Sequence, residues 1–391
     1  MEFLKKYLSE VKKLDLYRQT NTYIPTDATH VKFENKTFLM LASNNYLGLT
    51  HHACVKQAAI DAVQMYGTGS GGARLTTGSH PLYAELEQEI ARFKGTEAAL
   101  VFNTGYMANI GVISALMNSQ DVIFSDELNH ASIIDGCRLS KATTVVFRHS
   151  DINHLEDLLA KTTCHGRKLI VVDGVFSMDG DIAPLKDIVE LAEKYDAMVM
   201  VDDAHATGVL GNGRGTAAHF GLKDRVHIQM GTLSKALGSE GGYVAGSRCL
   251  IEYLINKARS YIFSTALAPA TIAAAKAALK VVADNPEIVD RLNQNADIMR
   301  SGLRVAGLKV DTGETPIIPV IVGDAGAAVE LAKELRNEGL IIAAIRPPTV
   351  PVGESRLRIT VSAAHKPEEL EQATMKIAAA AQRLGLLRGE R

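Results

Sequence analysis

This chain of 391 residues lacks the features that mark several large classes of protein. Its four cysteines, Cys54, Cys137, Cys164 and Cys249, are widely spaced and form no C-x-x-C pair, which argues against a disulfide framework and a zinc site. No uncharged apolar run is long enough to cross a bilayer, and the N-terminus has no apolar signal segment. The sequence therefore predicts a cytoplasmic protein with reduced thiols, no bound metal and no membrane partner.

Neither sign of charge is in excess. Lys and Arg number 42 and Asp and Glu number 44, so the formal net charge is -2. A surface that gathers nucleic-acid phosphates is strongly basic, so nucleic acid is not expected among the partners. Hydrophobic residues make up 47% and charged residues 22%, as in ordinary globular proteins. At about 150 residues per domain, the length predicts roughly two to three domains.

Common nucleotide-binding and hydrolase motifs are also missing. The chain has no Walker A, H-E-x-x-H or G-x-S-x-G pattern. Residues 67–72 read GTGSGG, which satisfies G-x-G-x-x-G, but that fingerprint follows a strand, whereas residues 51–66 have a helical pattern. A flexible turn or a substrate loop fits this context better, because glycine lets the backbone approach a ligand closely. A nicotinamide-dependent dehydrogenase stays open as the less favoured alternative.

The middle of the chain alternates between short β-branched runs and helical patterns. Strand-like runs occupy residues 98–102, 121–125, 143–147, 168–176, 197–203, 226–231 and 241–246. Continuous apolar strands that alternate with helices predict an α/β fold, with a mostly parallel seven-stranded sheet covered by helices on both faces. The later residues predict a small C-terminal α+β domain. The predicted division is an N-terminal arm and helix at 1–50, a large domain at 51–285 and a small domain at 286–391; the first 20 residues are predicted to be an amphipathic helix.

Polar residues follow three neighbouring strands, at the end of the sheet where parallel strands place their ligands. Ser177 follows the first, Asp202 and His205 the second, and Thr232 and Lys235 the third. A buried carboxylate needs a partner, and a lysine in a dry site is easily tuned for Schiff-base chemistry. This set suits pyridoxal 5'-phosphate: Lys forms the imine, Asp keeps the pyridine nitrogen protonated, Ser and His contact the phenolate, and Thr binds the phosphate.

One further segment fits the same cofactor. Residues 103–106, NTGY, follow a strand and open a helix, whose first N–H groups suit a phosphate. His130 lies in SDELNHAS and by itself is more often structural, just as a single Asp often caps a helix. Only the joint pattern at consecutive strand ends favours catalysis. A non-catalytic cofactor-binding module is the second alternative, although such a module has little need of the whole set.

Several segments resemble the α-oxoamine synthases, which are aminotransferase-like enzymes of fold-type I that use pyridoxal phosphate. These segments are GTGSGGARLTTGSHPLYAELE, FNTGYMAN, DELNHAS, GVFSMDGDIAPL, VDDAHATGVLG, TLSKALG and YIFSTALAP. The resemblance covers nearly the whole chain. Members of the family condense an amino acid with an acyl-CoA thioester and release carbon dioxide, and the resemblance implies the same class of reaction here.

The resemblance also implies a role for each matching residue. The implied catalytic residues are Lys235, His130 and Asp202. The implied cofactor-binding residues are Gly105, Tyr106, His130, Ser177, Asp202, His205, Thr232, Lys235, Ser264 and Thr265. The implied substrate-binding residues are Arg18, Asn44, His130, Thr349 and Arg358. Within these sets, His130 stacks on the cofactor ring, Asn44 and Arg358 bind the amino-acid carboxylate, and Ser264 and Thr265 reach the partner's phosphate site in a homodimer.

One segment narrows the expected substrates. Residues 344–351, AIRPPTVP, are most similar to family members that join L-alanine to a pimeloyl thioester in biotin biosynthesis. The carrier in that thioester is coenzyme A or an acyl carrier protein. The member that makes 2-amino-3-oxobutyrate from glycine and acetyl-CoA usually lacks the RPPTVP run and is the alternative. Serine palmitoyltransferase and 5-aminolevulinate synthase fit less well.

Overall fold

A computed structural model describes residues 1–13 and 16–387 of the chain. The strands are β1 Ile24–Pro25, β2 His30–Phe33, β3 Lys36–Met40, β4 Ala98–Phe102, β5 Val122–Asp126, β6 Thr143–Phe147, β7 Lys168–Asp173, β8 Ala197–Asp202, β9 Ile228–Thr232, β10 Gly242–Gly246, β11 Ile317–Gly323, β12 Leu340–Ile341, β13 Ala343–Ile345 and β14 Ser355–Thr360. The α-helices are α1 Glu2–Lys13, α2 Ala53–Tyr66, α3 Pro81–Lys94, α4 Gly105–Leu116, α5 Ala131–Ser140, α6 Ile152–Lys161, α7 Leu185–Lys194, α8 Thr216–His219, α9 Arg248–Lys257, α10 Arg259–Ile262, α11 Pro269–Asp284, α12 Glu287–Val305, α13 Ala325–Asn337 and α14 Pro367–Arg383. Residues Leu49–His51 form a short 3-10 helix. Among the described residues, no helix combines the length and apolar character that a membrane crossing requires.

The described residues divide into two compact units. The first unit comprises residues 1–46, 178–180 and 291–391. The second unit comprises residues 47–177 and 181–290. The division into an N-terminal arm at 1–50, a large domain at 51–285 and a small domain at 286–391 remains a prediction.

The second unit is built on a seven-stranded sheet with the order β4-β10-β9-β8-β7-β5-β6. Strand β10 runs antiparallel to both of its neighbours, and the pairs from β9 through β6 are all parallel. The prediction of a mostly parallel seven-stranded sheet is therefore confirmed. In this arrangement the carboxyl ends of β5, β7, β8 and β9 lie at one edge.

Helices cover both faces of this sheet. In β7, Leu169 and Val171 join a core cluster with side chains of α4, α5 and α9. The intervening Ile170 and Val172 join a second cluster with side chains of α6 and α7. Successive side chains of a strand point to opposite faces, so a strand buried on both faces must be continuously apolar. This is the physical reason for the uninterrupted apolar runs in the sequence.

Two local predictions concern helices. Residues 53–66 form α2, so the GTGSGG segment follows a helix and not a strand, as its context indicated. The N-terminal helix is shorter than predicted, because it ends at Lys13 and residues 16–20 are not helical; residues 14 and 15 lie outside the described residues. Lys12 and Lys13 favour the C-terminal end of a helix, and the polar residues at 20–22 compete with helical hydrogen bonding.

The first unit has an α+β core. Strands β11, β14 and β13 form an antiparallel sheet, and its buried residues pack with side chains of α12, α13 and α14. A second small sheet pairs β3 in parallel with β12 and antiparallel with β2. The hairpin between β2 and β3 turns at Glu34 and Asn35, whose φ angles are 47° and 62°, as a tight hairpin turn requires. The C-terminal region is thus α+β, as predicted.

Candidate active site

Four neighbouring strand ends place predicted site residues at the same edge of the large sheet. Lys235 follows β9, His205 follows β8, Ser177 follows β7, and His130 follows β5. Ligands of parallel sheets bind outside the carboxyl ends of the strands. The sequence had singled out three of these strand ends from their spacing, and the sheet order adds the end of β5 with His130.

Lys235 and His205 are in direct contact. The Nζ atom of Lys235 lies 2.7 Å from Nε2 of His205, and the His205 side chain is buried. The turn after Lys235 closes at Gly238, which has a φ angle of 62° and where a Cβ atom would lie 2.7 Å from the backbone nitrogen of Thr50. Gly238 therefore lets the lysine loop pack tightly. An amine held against a buried imidazole lies in the kind of site where lysine reactivity is easily tuned.

Asp202 ends β8 and is only 2% exposed. Its Oδ2 atom accepts a hydrogen bond of 2.7 Å from Nδ2 of Asn109, and its Oδ1 atom accepts one of 2.8 Å from the backbone N–H of Ala204. These two donors satisfy both oxygens of the buried carboxylate. Asp202 is therefore held in a fixed orientation, which suits a protonated nitrogen on a bound ring.

The adjacent Asp203 has a different surrounding. Its Oδ2 atom lies 2.7 Å from Nζ of Lys94, and both side chains are 0% exposed. Asp203 also accepts a hydrogen bond from the backbone N–H of Thr216. Burial lowers the pKa of Lys94, but the charge of Asp203 outweighs burial and raises the pKa overall. Asp203 is thus paired with a lysine within the fold, whereas Asp202 accepts from an amide side chain and a backbone N–H.

His130 forms the N-cap of α5. Its Nδ1 atom accepts a hydrogen bond from the backbone N–H of Ser132 and lies 2.7 Å from Oγ of Ser132. Burial and the positive charge of Lys235 lower the pKa of His130, and the negative charge of Asp202 raises it only in part. The ring of Tyr106 meets the His130 ring edge-on, with 6.4 Å between centroids. The imidazole is therefore held in place and favours its neutral form.

Two residues that sequence reasoning missed belong to the same region. Asp173 ends β7 and accepts a hydrogen bond of 2.7 Å from the backbone N–H of His130. Burial, together with the nearby charge of Asp202, raises the pKa of Asp173 well above its ordinary value. The argument from strand ends could have found Asp173, because it ends an apolar run. Asn109 lies inside an apolar helix, and no local signal marks it.

The start of α4 forms one wall of the same edge. Thr104 is the N-cap, and its side chain accepts a hydrogen bond from the backbone N–H of Met107. A Cβ atom on Gly105 would lie 3.6 Å from Oγ1 of Thr232, so the helix start and the Thr232 hydroxyl are neighbours. A helix N-terminus beside a hydroxyl is a suitable site for an anion such as a phosphate. Gly105, Tyr106 and Thr232 are thus brought together as predicted residues of one candidate site.

Ser264 and Thr265 lie near this helix start within the single chain. The backbone oxygen of Thr265 accepts a hydrogen bond of 2.5 Å from Nδ2 of Asn103, and Oγ of Ser264 lies 3.9 Å from Sδ of Met107. Thr265 also forms an isolated bridge with Ala73. The contribution of this segment to a partner's site remains a prediction.

In the first unit, Asn44 and Arg358 are joined. Both terminal nitrogens of Arg358 donate hydrogen bonds of 3.2 Å to Oδ1 of Asn44. The Tyr46 hydroxyl donates to the same oxygen at 3.2 Å, and Arg358 is only 5% exposed. Burial raises the pKa of Tyr46, which keeps its hydroxyl neutral. A buried guanidinium held in a fixed orientation suits a carboxylate.

Arg18 and Thr349 are both exposed. A cavity of about 810 Å³ lies in the first unit and is lined by side chains from residues 19–23, 40–43, 329–336 and 341–346. Its wall is mostly apolar but includes Lys333, Arg336 and Arg346. The cavity is thus suited to an extended apolar chain with an acidic end.

Comparison with known proteins gives a consistent family. The family model described as aminotransferase class I and II matches residues 36–377. The 8-amino-7-oxononanoate synthase of Lysinibacillus sphaericus is 50% identical over 384 residues, which cover 98% of this chain and 99% of that protein.

Solved structures agree on the fold. Serine palmitoyltransferase from S. paucimobilis, with bound PLP–myriocin aldimine, is similar with a TM-score of 0.93 and 32% identity, covering 98% of this chain and 97% of that one. The 8-amino-7-oxononanoate synthase from Francisella tularensis is similar with a TM-score of 0.76 and 29% identity, covering 88% and 98%. Because two enzymes with different names share this fold, the fold by itself does not select the substrates.

Proposed function

This chain belongs to the class I and II aminotransferase family, and we propose that it condenses L-alanine with a pimeloyl thioester to form 8-amino-7-oxononanoate in biotin biosynthesis. It is a pyridoxal-phosphate-dependent acyltransferase of the α-oxoamine synthase type. The name of a relative that is 50% identical over nearly the whole chain supports the choice of substrates. The contact between Lys235 and His205, near the buried Asp202, carries the proposed chemistry.

The residues at the sheet edge fit pyridoxal 5'-phosphate. Lys235 provides an amine for the covalent bond, and Asp202 provides a buried carboxylate for the pyridine nitrogen. Thr232 and the first N–H groups of α4 provide donors for the phosphate. When bound, the cofactor supplies an electron sink that stabilises negative charge at the alanine α-carbon.

The proposed roles follow from the atoms that these side chains offer. The Lys235 amine removes the proton from the alanine α-carbon and later returns one. It can act as general base and then as general acid once it is no longer bonded to the cofactor. His205 accepts a hydrogen bond from that amine and holds it in place. With the cofactor bound, Ser177 and His205 would contact its phenolate oxygen, and Asp202 would keep a proton on the pyridine nitrogen. His130 would lie against the ring.

The proposed reaction balances without a further reactant. A carbon–carbon bond forms between the alanine α-carbon and the thioester carbonyl carbon, and the carbon–sulfur bond breaks to release the thiol carrier. The alanine carboxyl group then leaves as carbon dioxide, and a proton takes its place. We assign the binding of that carboxyl group to Asn44 and Arg358, because Arg358 is a buried cation with a fixed orientation.

We assign the acyl chain to the cavity of the first unit. Its volume of about 810 Å³ is within the usual range for small-molecule sites. The pimeloyl chain has an apolar middle and an acidic end, which matches apolar walls with Lys333, Arg336 and Arg346. The cavity includes Arg346, which begins the RPPTVP run, and Gln19, which follows Arg18. On this proposal, Arg18 and Thr349 contact substrate at its border.

The working unit in this proposal is a cytoplasmic homodimer with shared sites. Ser264 and Thr265 lie beside the helix start that we assign to the phosphate. The resemblance to the α-oxoamine synthases supports their use by the partner protomer. The proposal includes both coenzyme A and acyl carrier protein as carriers of the pimeloyl group.

A comparison of substrates tests the proposed function. We expect a higher kcat/KM for L-alanine with pimeloyl-CoA than for glycine with acetyl-CoA under the same conditions. One methyl group contributes about 1–3 kcal/mol to discrimination, so some turnover of glycine is compatible with the proposal. A higher value for glycine with acetyl-CoA would favour glycine C-acetyltransferase and would leave the cofactor chemistry unchanged.

A further inference from the structure

A chain of hydrogen bonds connects Asp202 with His130, and it is buried from Asp202 as far as Ser132. Asn109 donates one hydrogen bond of 2.7 Å from Nδ2 to Oδ2 of Asp202 and another of 2.8 Å to Oγ of Ser132. Oγ of Ser132 lies 2.7 Å from Nδ1 of His130. Asn109, Ser132 and Asp202 are each no more than 2% exposed. The connection therefore runs through side chains that bulk water does not reach.

The direction of each hydrogen bond follows from the number of hydrogens available. An asparagine amide nitrogen carries two hydrogens, and Asn109 directs one to Asp202 and the other to Ser132. Because Oγ of Ser132 accepts from Asn109, the serine hydroxyl hydrogen remains to be donated to Nδ1 of His130. The backbone N–H of Ser132 also points to Nδ1, at 3.3 Å. A backbone N–H can only donate, so this contact requires Nδ1 to be an acceptor, and the ring proton lies on Nε2.

The orientation of the Asn109 amide is determined by Asp202. In the opposite orientation, the amide oxygen would face the carboxylate oxygen, and two acceptors would repel each other. In the observed orientation, Oδ1 of Asn109 is buried and has no hydrogen-bond partner within the described part of the chain. An unpaired buried acceptor destabilises the fold. A side chain needed only for packing could be apolar and would avoid this unpaired oxygen. The unpaired oxygen therefore indicates that this position requires the two N–H donors of the Asn109 amide.

We propose that Asn109 is a positioning residue: it holds the Asp202 carboxylate in a fixed orientation and, through Ser132, holds His130 as the neutral tautomer with its proton on Nε2. The proposal rests on the function assigned above, in which Asp202 faces the pyridine nitrogen and His130 covers the ring. In that reaction, His130 has a single N–H donor, at Nε2, for an oxygen of the substrate. A further consequence is that Asp202 and His130 cannot change orientation independently.

Nitrogen-15 NMR of the histidine rings tests the tautomer directly. The holoenzyme is prepared with labelled histidine, and His130→Gln identifies the signal of His130. At neutral pH, we expect the shifts of an unprotonated Nδ1 and a protonated Nε2 in the wild-type protein. A Nδ1–H tautomer or a doubly protonated ring would overturn the proposal. This measurement needs no substrate, so it is independent of whether alanine and a pimeloyl thioester are the substrates.

Variants then test whether the hydrogen-bonded chain causes the tautomer. Ser132→Ala removes the hydroxyl donor, and we expect a mixture of tautomers and a roughly tenfold lower kcat. Ser132→Thr keeps a hydroxyl and should restore most of the wild-type signal. The control is Ser140→Ala, since Ser140 is also a buried serine of α5 but donates to the backbone oxygen of Cys137. Unchanged tautomer in Ser132→Ala would overturn the role of Ser132.

Asn109→Ala tests the other end of the chain. Loss of its donor to Asp202 should raise the dissociation constant for pyridoxal phosphate roughly tenfold, measured by equilibrium dialysis, and should shift the visible absorbance of the bound cofactor. Thermal unfolding of each variant separates this effect from a general loss of structure. If Asn109→Ala binds the cofactor with unchanged affinity and absorbance, Asn109 does not position Asp202.

Discussion

The Nζ atom of Lys235 lies 2.7 Å from Nε2 of His205, although 30 residues separate the two in the sequence. The contact exists because β8 and β9 are adjacent and parallel, so the loops that follow them meet at the same edge. The motifs that contain these residues are therefore parts of one site. The contact holds the lysine amine against the imidazole ring.

Replacing Lys235 by Ala should abolish turnover, with a loss of at least about 10³-fold, because no other amine takes its place in the proposed chemistry. The visible absorbance due to the covalent bond between lysine and cofactor should also disappear. Steady-state kinetics and absorbance spectra check both outcomes. The control is Lys161→Ala, which removes a lysine paired with Asp157 on the surface of α6. Near-normal turnover by Lys235→Ala would exclude the mechanism.

Replacing Asp202 by Asn separates binding from catalysis. The amide retains the shape of the side chain but cannot hold a proton on the pyridine nitrogen, so we expect retained cofactor binding and a loss of most of the rate. Cofactor content and kcat are the two measurements. Asp203→Asn is the informative comparison, because Asp203 pairs with Lys94 and should affect stability more than the chemical step. A wild-type rate in Asp202→Asn would remove Asp202 from its proposed role.

Much of the large sheet could be predicted because its physical causes are local. A strand buried on both faces must be continuously apolar, as Leu169 through Val172 show. A polar residue immediately after such a strand must lie at the sheet edge, which brought Asp202 and Lys235 into the predicted site. The family resemblance added residues without such a signal, for example Arg358.

The residues that escaped prediction depend on contacts between distant parts of the chain. Asn109 and Asp202 are 93 positions apart, and Lys94 and Asp203 are 109 positions apart. A single asparagine in an apolar helix, or a lysine at a helix end, carries no sign of its partner. The partner is decided by the packing of α3 and α4 on the sheet, which the periodicity of the sequence does not specify.

Arg336 tests the assignment of the acyl cavity. It lines the cavity, and its guanidinium lies 5.6 Å from the ring centroid of Phe33. Arg336→Gln should raise the KM for pimeloyl-CoA roughly fivefold, because a charge that pairs with the terminal carboxylate is lost. Heptanoyl-CoA has the same length but no terminal carboxylate, so its KM should stay unchanged. Arg304→Gln, at an exposed position of α12, is the control. Equal effects on both thioesters would contradict the assignment.

Complementation between inactive variants tests the shared sites of the proposed homodimer. One parent carries Lys235→Ala, and the other carries both Ser264→Ala and Thr265→Ala. If Ser264 and Thr265 serve the partner's phosphate site, a mixed dimer contains one site with all functional groups. After unfolding and refolding together, statistical mixing makes about half of the dimers mixed, so activity should return to roughly a quarter of the wild-type value per site.

The control for complementation is the same mixture without refolding, in which protomers do not exchange. The double variant must itself be impaired, as measured by its KM for pyridoxal phosphate in reconstitution. If it is impaired and refolding together restores nothing, then each chain uses its own Ser264 and Thr265, close to Asn103 and Met107 where the structure places them.

His149 provides a prediction about stability and pH. Its Nδ1 atom lies 3.0 Å from Oδ1 of Asp126 and its Nε2 atom 2.9 Å from Oδ2 of Asp181. Burial lowers the pKa of His149, but the two carboxylates outweigh burial and raise it from 6.5 to about 10. Because the pKa is higher in the folded protein, the stabilisation is fully present below about pH 6.5 and is lost as the pH rises through about 10.

His149→Gln should therefore lower the free energy of unfolding by about 2 kcal/mol near pH 6, after allowance for partial exposure, and by much less near pH 10. Urea unfolding of both proteins across this range measures the difference, with the exposed His219→Gln as the control. A difference that stays constant across the range would show that His149 stabilises the fold by packing against Phe176 and not by its charge.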